Sequence, residues 1–247
     1  MNDLPGGRRA AVLGHPIGHS LSPVLHRAAY EALGLDWSYE AVDLTEDQVL
    51  PFLAGLDDRW AGLSVTAPLK QAVQPALTDM SALARKVGAV NTIVCEGAGS
   101  GRRLMGHNTD VVGIVEALAE DPHAALAVDL GIVGAGGTAA AALAAAERLG
   151  MQHVDVTARR EQAVSELFEQ VAVPEANAVP WADVAAVLAR DIVIMTLPGD
   201  AAAPLAEWIP QEPGLLLDVT YHPWPTTLAA EWSRRGGAVV AGHRMLL

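Results

Sequence analysis

The apolar residues of this chain fall into short continuous runs that alternate with stretches of helical spacing, the pattern of strands followed by helices. Residues 10–13 form the first run. It stops at Gly14-His15-Pro16 and reads as a short buried strand. Residues 17–22 read as a loop, and Ser22-Pro23 as a helix N-cap with proline at the first helical position. That helix extends to about Leu33 and stops at Gly34. Residues 37–42 alternate as a second strand, 45–53 return to helical spacing, and 62–66 form a third strand. A helix over 81–86 and a strand over 89–95 follow, then a glycine-rich hairpin turn over 96–103 and a return strand over 104–107.

From Asp110 the pattern changes. Residues 111–119 are helical and are expected to hinge into a second unit. Residues 127–133 form a strand that enters a glycine-rich loop, 138–149 an alanine-rich helix, and 153–157 the next strand. Residues 161–171 are helical, and strands are predicted over 191–196 and 215–219. Repeated strand–helix alternation argues for an α/β protein with a parallel sheet and right-handed crossovers. The chain shows no internal repeat, low-complexity tract or long linker, so the domain boundary is expected inside the helix near 108–120.

Composition narrows the class. Of 247 residues, 51% are hydrophobic but only 4% aromatic, which suits helices packed on sheets through small side chains. A net charge of −13 argues against nucleic acid or an anionic membrane as partner. A single cysteine, Cys95, excludes an internal disulfide and fits a reducing compartment; behind an apolar strand it reads as a buried filler. No apolar run approaches the roughly 18 residues of a membrane span. Residues 1–9 are polar and glycine-rich, without a signal-peptide core, so a cytoplasmic protein is expected. The histidines show no metal-ligand spacing, and no metal is expected.

Three features carry chemistry. The 16 basic residues include only two lysines, Lys70 and Lys86. A chain that otherwise uses arginine has kept at Lys70 an amine able to release a proton, which arginine cannot do. Lys70 closes Gly62-Leu63-Ser64-Val65-Thr66-Ala67-Pro68-Leu69-Lys70, a strand breaking into a proline-led turn. A lone carboxylate stands in Gly106-His107-Asn108-Thr109-Asp110. Third, Gly134-Ala135-Gly136-Gly137-Thr138-Ala139 joins an apolar strand to a helix. The first glycine makes the turn, the second lets pyrophosphate approach, the small Ala139 permits close packing, and the helix N-terminus supplies donors. The following strand ends in Thr157-Ala158-Arg159-Arg160, where two guanidiniums suit a 2′-phosphate; Asp155 sits mid-strand, away from a ribose. NADP(H) is therefore favoured over NAD. Amine, acid and cofactor loop together suggest hydride transfer to or from a small polyol or keto acid.

With these residues the chain resembles the shikimate dehydrogenases. The matching motifs are Pro16-Ile17-Gly18-His19-Ser20-Leu21-Ser22-Pro23, Ser64-Val65-Thr66-Ala67-Pro68-Leu69-Lys70, Gly88-Ala89-Val90-Asn91-Thr92, Gly106-His107-Asn108-Thr109-Asp110-Val111-Val112-Gly113 and Gly134-Ala135-Gly136-Gly137, in the family's order. The resemblance implies an N-terminal α/β substrate-binding and catalytic domain over 1–109, rejoined by 242–247. It also implies a Rossmann-type doubly wound parallel-sheet domain binding NADP over 110–241, with a cleft between the two domains. The implied reaction is the reversible NADPH reduction of 3-dehydroshikimate to shikimate in aromatic amino-acid synthesis. Lys70 and Asp110 become the catalytic pair, and Ser20 and Ser22 the carboxylate ligands, although Ser22 read alone is an N-cap. Thr66 and Asn91 contact the ring hydroxyls, and Tyr221 is a further carboxylate ligand. A monomer or homodimer is expected.

The match also has departures. Ser64 stands where the family more often has Asn, and Thr157-Ala158-Arg159-Arg160 lacks the Asn of the usual cofactor loop. The sequence ends at Gly242-His243-Arg244-Met245-Leu246-Leu247, where the family continues into a helix carrying a substrate-binding Gln. An apolar ending of this kind leads us to expect an incomplete sequence. Two alternatives stand beside the main reading: an NAD-dependent quinate/shikimate dehydrogenase, for which Asp155 would return to the ribose, and a non-catalytic shikimate-binding relative.

Overall fold

The computed structural model describes residues 7–18 and 20–246. Residues 1–6, His19 and Leu247 lie outside them, and with these the N-terminal leader reading, the histidine of the first motif and the last residue of the expected C-terminal return. The chain divides into two compact units, 1–109 and 110–247.

In the first unit the order is β1 (Arg8–Gly14), α1 (Ser22–Ala32), β2 (Trp37–Asp43), α2 (Glu46–Ala54), β3 (Trp60–Val65), α3 (Leu69–Ala72), β4 (Asp79–Met80), α4 (Ala82–Val87), β5 (Thr92–Glu96) and β6 (Arg103–His107). The sheet runs β2-β1-β3-β5-β6-β4. It is mixed, not wholly parallel as the alternation suggested: β5 runs antiparallel to both β3 and β6. The reason is local. The glycine-rich turn between β5 and β6 is too short for a crossover, and only antiparallel strands can be joined that way. Asp58 pins the turn by accepting from the Gly99 amide at 2.8 Å and from the Arg102 guanidinium.

Strand β1 is buried on both faces. Ala11 and Leu13 face a core with Val49, Leu53, Leu63, Val65, Leu69 and Ile93. Ala10 and Val12 face a smaller core with Ile17 and Tyr39. Each fully buried Leu or Ile contributes about 2 kcal/mol of transfer free energy.

The second unit is α5 (Asp110–Ala119), β7 (Asp129–Val133), α6 (Gly137–Leu149), β8 (His153–Thr157), α7 (Glu161–Gln170), β9 (Ala176–Ala178), α8 (Val184–Leu188), β10 (Ile192–Met195), β11 (Leu215–Asp218), α9 (Thr227–Arg234) and β12 (Ala238–Ala241). Its sheet runs β12-β11-β10-β7-β8-β9, every neighbouring pair parallel. Counted within the unit this is the doubly wound order of a Rossmann fold, with its switch point between β7 and β10. Ala139 to Ala146 are buried on every side of α6, which explains why the helix is alanine-rich: larger side chains would hold it off its neighbours.

Residues 242–246 group with this second unit, not with the first as the sequence reading has it. A Cβ on Gly113 of α5 would lie 2.5 Å from the Met245 carbonyl oxygen, so only glycine lets the terminal turn approach that closely. Among the described residues no helix is long and apolar enough to cross a membrane.

Candidate functional site

In the first unit, β1, β2 and β3 are parallel, so their carboxyl ends lie at one edge. The antiparallel pairings Ser64 with Thr92 and Thr92 with His107 bring the start of β5 and the end of β6 to the same edge. The loop with Ser20 and Ser22, the turn with Thr66 and Lys70, and Asn91 therefore gather at one end of the sheet, where open α/β sheets hold ligands.

Backbone hydrogen bonds lock that cluster. The Thr66 amide donates to the Leu13 carbonyl at 2.9 Å, and the Val65 amide to the Asn91 carbonyl at 2.7 Å. Lys70 is half-buried on α3, which the fully buried Leu69 anchors, and its carbonyl accepts from the Val90 amide at 2.8 Å. Asn91 donates to Thr109 Oγ1 at 2.8 Å and accepts from the Thr109 amide at 3.0 Å. It thus fixes the residue just before Asp110, a second task beside the expected ring contact. Asp110 is the first residue of α5 and not a cap ahead of it, and a carboxylate there suits the helix N-terminus.

The N-cap expectation at Ser22 fails. Leu21 holds the N-cap position with no side-chain cap bond, and Ser22 is already helical. The capping role falls to Ser20, whose hydroxyl accepts from the Ser22 amide at 3.3 Å. Ahead of this loop, His15 Nδ1 lies 2.6 Å from Asp43 Oδ1, and Asp43 Oδ2 accepts from the Ile17 amide at 3.1 Å. The His15 hydrogen bond holds the Asp43 carboxyl below its usual range. Sequence reading missed His15, Asp43 and Tyr39. His15 and Asp43 are far apart in the chain, and Tyr39 reads as an ordinary strand aromatic.

The second unit holds the glycine loop that the sequence offers as a cofactor cradle. Gly134 has φ +121°, and a Cβ there would lie 2.1 Å from Thr196 Oγ1, which itself donates to the Val133 carbonyl at 2.9 Å. Gly136 is exposed, with open space where a Cβ would stand. Ala135, Gly137 and Thr138 are half-buried and Ala139 is buried, at the start of α6, where a helix leaves its first amides without intrahelical partners. Arg159 and Arg160 are exposed just beyond β8. Asp155 is 6% exposed, and Oδ2 accepts from Arg190 Nε at 2.9 Å and Nη2 at 2.5 Å. An acid so engaged is not presented to a ribose. The residues present therefore fit a dinucleotide with a charged 2′ substituent.

Tyr221 lies half-buried in the loop after β11. Asp218, 1% exposed, anchors that loop by accepting from the Thr220 amide at 3.0 Å and the Thr226 hydroxyl at 2.7 Å, and burial pushes its carboxyl up. Thr226 in turn caps α9 by accepting from the Ala229 amide. A cavity of about 680 Å³ lies along α9 between Ala206, Pro225, Thr226, Glu231 and Arg235, and holds none of the expected site residues. Cys95 is buried, with its thiol pushed up by burial, as a filler should be. Among the described residues no cluster of three or more His, Cys, Asp or Glu could hold a metal.

A family model described as the shikimate dehydrogenase substrate binding domain matches residues 12–93. A Thermus thermophilus protein named shikimate dehydrogenase (NADP(+)) is 39% identical over 245 residues, covering 96% of this chain and 88% of that protein. The crystal structure of Mycobacterium tuberculosis shikimate dehydrogenase aligns with a TM-score of 0.83 at 35% identity, covering 97% of this chain and 89% of the other. That of shikimate 5-dehydrogenase from Thermus thermophilus, in complex with NADP(H) and shikimate, aligns with a TM-score of 0.82 at 34% identity, covering 97% and 88%. Relatives this similar span almost the whole sequence, and their identity is not confined to the glycine loop; the chain belongs to the shikimate dehydrogenase family.

Proposed function

We propose that this chain catalyses the reversible NADPH-dependent reduction of 3-dehydroshikimate to shikimate. The observation that carries the reading is the cluster of Lys70, Thr66 and Asn91, locked by backbone hydrogen bonds at the ligand-binding end of the first sheet, in a chain of this family. Bound NADPH supplies the hydride. Lys70 stabilises the negative charge that develops on the C3 oxygen and delivers a proton to it. Asp110 is the acidic member of the catalytic pair. Ser20, Ser22 and Tyr221 hold the substrate carboxylate, and Thr66 and Asn91 the ring hydroxyls. The first unit, residues 1–109, is the substrate-binding and catalytic domain, and the doubly wound unit from Asp110 the cofactor domain. Gly134 to Ala139 receive the pyrophosphate and Arg159 and Arg160 the 2′-phosphate.

The engagement of Asp155 with Arg190 supports NADP over NAD. The test is the absorbance of reduced cofactor, followed with shikimate and with quinate, each against NADP and NAD. Reduction of NADP by shikimate alone is expected. Turnover of quinate with NAD would overturn the assignment in favour of the quinate enzyme. Binding of shikimate without any turnover would make the chain a non-catalytic relative.

A further inference from the structure

We propose that Tyr39 is a positioning residue of the substrate site, its hydroxyl setting the proton direction of Ser64 and so determining how tightly shikimate is held. The inference rests on the function proposed above.

Tyr39 is 2% exposed in the middle of β2. Its backbone pairs with Ala10, and its ring lies across β1 in the small core with Ala10, Val12 and Ile17. It thereby reaches Ser64 on β3, the residue in register with Val12. The Tyr39 hydroxyl donates to Ser64 Oγ at 2.7 Å.

The phenol is held at every point. The His26 ring stacks on it at 4.0 Å with 15° between planes. His26 Nδ1 lies 2.9 Å from the Ser22 carbonyl, and Arg27 Nε donates to the Tyr39 carbonyl at 2.8 Å. One residue thus ties α1, β2 and β3 together at the edge where the substrate is proposed to bind.

Counting protons gives the mechanism. A phenol has one proton, and a serine hydroxyl one proton and two lone pairs. With the Tyr39 proton on Ser64 Oγ, the proton of Ser64 must point elsewhere, toward a ligand. Burial pushes the phenol up to about 12, so it remains a donor at any pH at which the enzyme is assayed. This also accounts for a departure from the family. Asn, more usual at position 64, carries donor and acceptor on separate atoms; Ser64 carries both on one oxygen, and the Tyr39 proton on that oxygen leaves the Ser64 proton free to donate.

The experiment is steady-state kinetics with shikimate and NADP on the full chain, together with direct titration of shikimate, for wild type, Tyr39→Phe and Tyr39→Phe/Ser64→Asn. Tyr39→Phe keeps the ring and its stacking. It is expected to raise the shikimate KM about tenfold, the scale of one hydrogen bond to a charged or ligand-facing group, with the NADP KM within about twofold and kcat within about threefold. Adding Ser64→Asn restores most of the loss, which mere repair of packing would not do. A shikimate KM for Tyr39→Phe within about twofold of wild type overturns the proposal, as does an equal rise in the NADP KM. If Tyr39→Phe does not fold, Ser64→Ala breaks the same bond from the other side, and an unchanged shikimate KM there is equally fatal. Absence of turnover in the wild type counts against the proposed function instead, and the shikimate titrations then still decide the role of Tyr39.

Discussion

At the scale of single residues, Lys70 is proposed as catalytic because chemistry restricts it: in an arginine-rich chain an amine is a choice, and its strand–turn setting is local. Lys70→Ala is expected to lower kcat by about 10²-fold or more, the scale of a lost acid–base group. Lys70→Arg, which keeps the charge but cannot release a proton, is expected to remain comparably slow, and near-normal turnover in either variant would remove the mechanism. Arg159, exposed just beyond β8, is the proposed 2′-phosphate ligand. Arg159→Ala is expected to raise the NADP KM about tenfold while leaving the shikimate KM unchanged, as loss of a charge-assisted phosphate contact requires. Ser22 and Tyr39 were not legible. Ser22-Pro23 has the local form of a cap, yet Ser22 is already helical, and the Tyr39 hydroxyl finds Ser64 two strands away.

At the scale of elements, the unit β7–loop–α6 followed directly from sequence, because turn, glycine and helix start are contiguous. Its two key glycines act differently, and the difference is measurable. Gly134→Ala is strained at φ +121° and collides with Thr196, so it is expected to cost about 2 kcal/mol or more of stability, seen as a lower melting temperature. Gly136 has φ −95° and an open Cβ direction, so Gly136→Ala is expected to melt like wild type. It should still lose about tenfold or more in NADP affinity, where a methyl group replaces close pyrophosphate approach. Equal melting temperatures with unchanged NADP binding would refute the cradle. The topology of the first sheet was less accessible: β4 has two residues and joins the far edge beside β6, a pairing that no local pattern specifies.

At the scale of the whole molecule, electrostatics sets the stability profile. Partners hold several carboxyls below their usual range: His15 beside Asp43, Arg59 beside Asp57, the Gly99 amide at Asp58, Arg85 beside Asp79, and Arg234 with Arg235 beside Glu231, which falls to about 2. A lowered folded-state value means that the unfolded chain binds protons first on acidification. The stability these groups give is therefore complete above about pH 4–4.5 and is lost as pH falls through their folded values. Asp218, raised by burial, works in the opposite sense and offsets part of that loss. Tyr39 marks the alkaline side: its contribution is whole below about pH 10 and is lost as pH rises toward about 12. The thermal midpoint is expected to stay level from about pH 5 to 8 and to fall steeply below about pH 4. A midpoint that rises on acidification from pH 5 would show that the buried Asp218 dominates the paired surface carboxylates. All these surface pairs are screened, so added salt should flatten the acid limb.

The sequence by itself determined the α/β class, the glycine loop that opens α6 and the family, and singled out Lys70 as the amine to test. Each of these rests on conformational or chemical preferences exercised within a few residues: a turn that tolerates only glycine, a small-residue helix, an amine that can lose its proton. Only the tertiary structure decided that the first sheet is mixed, that residues 242–246 close on α5, that Asp155 belongs to Arg190, and that Tyr39 reaches over β1 to Ser64. Those facts depend on which strands become neighbours and in what register. A buried hydroxyl or carboxylate must then take the partner that the packing brings to it, however distant in the chain.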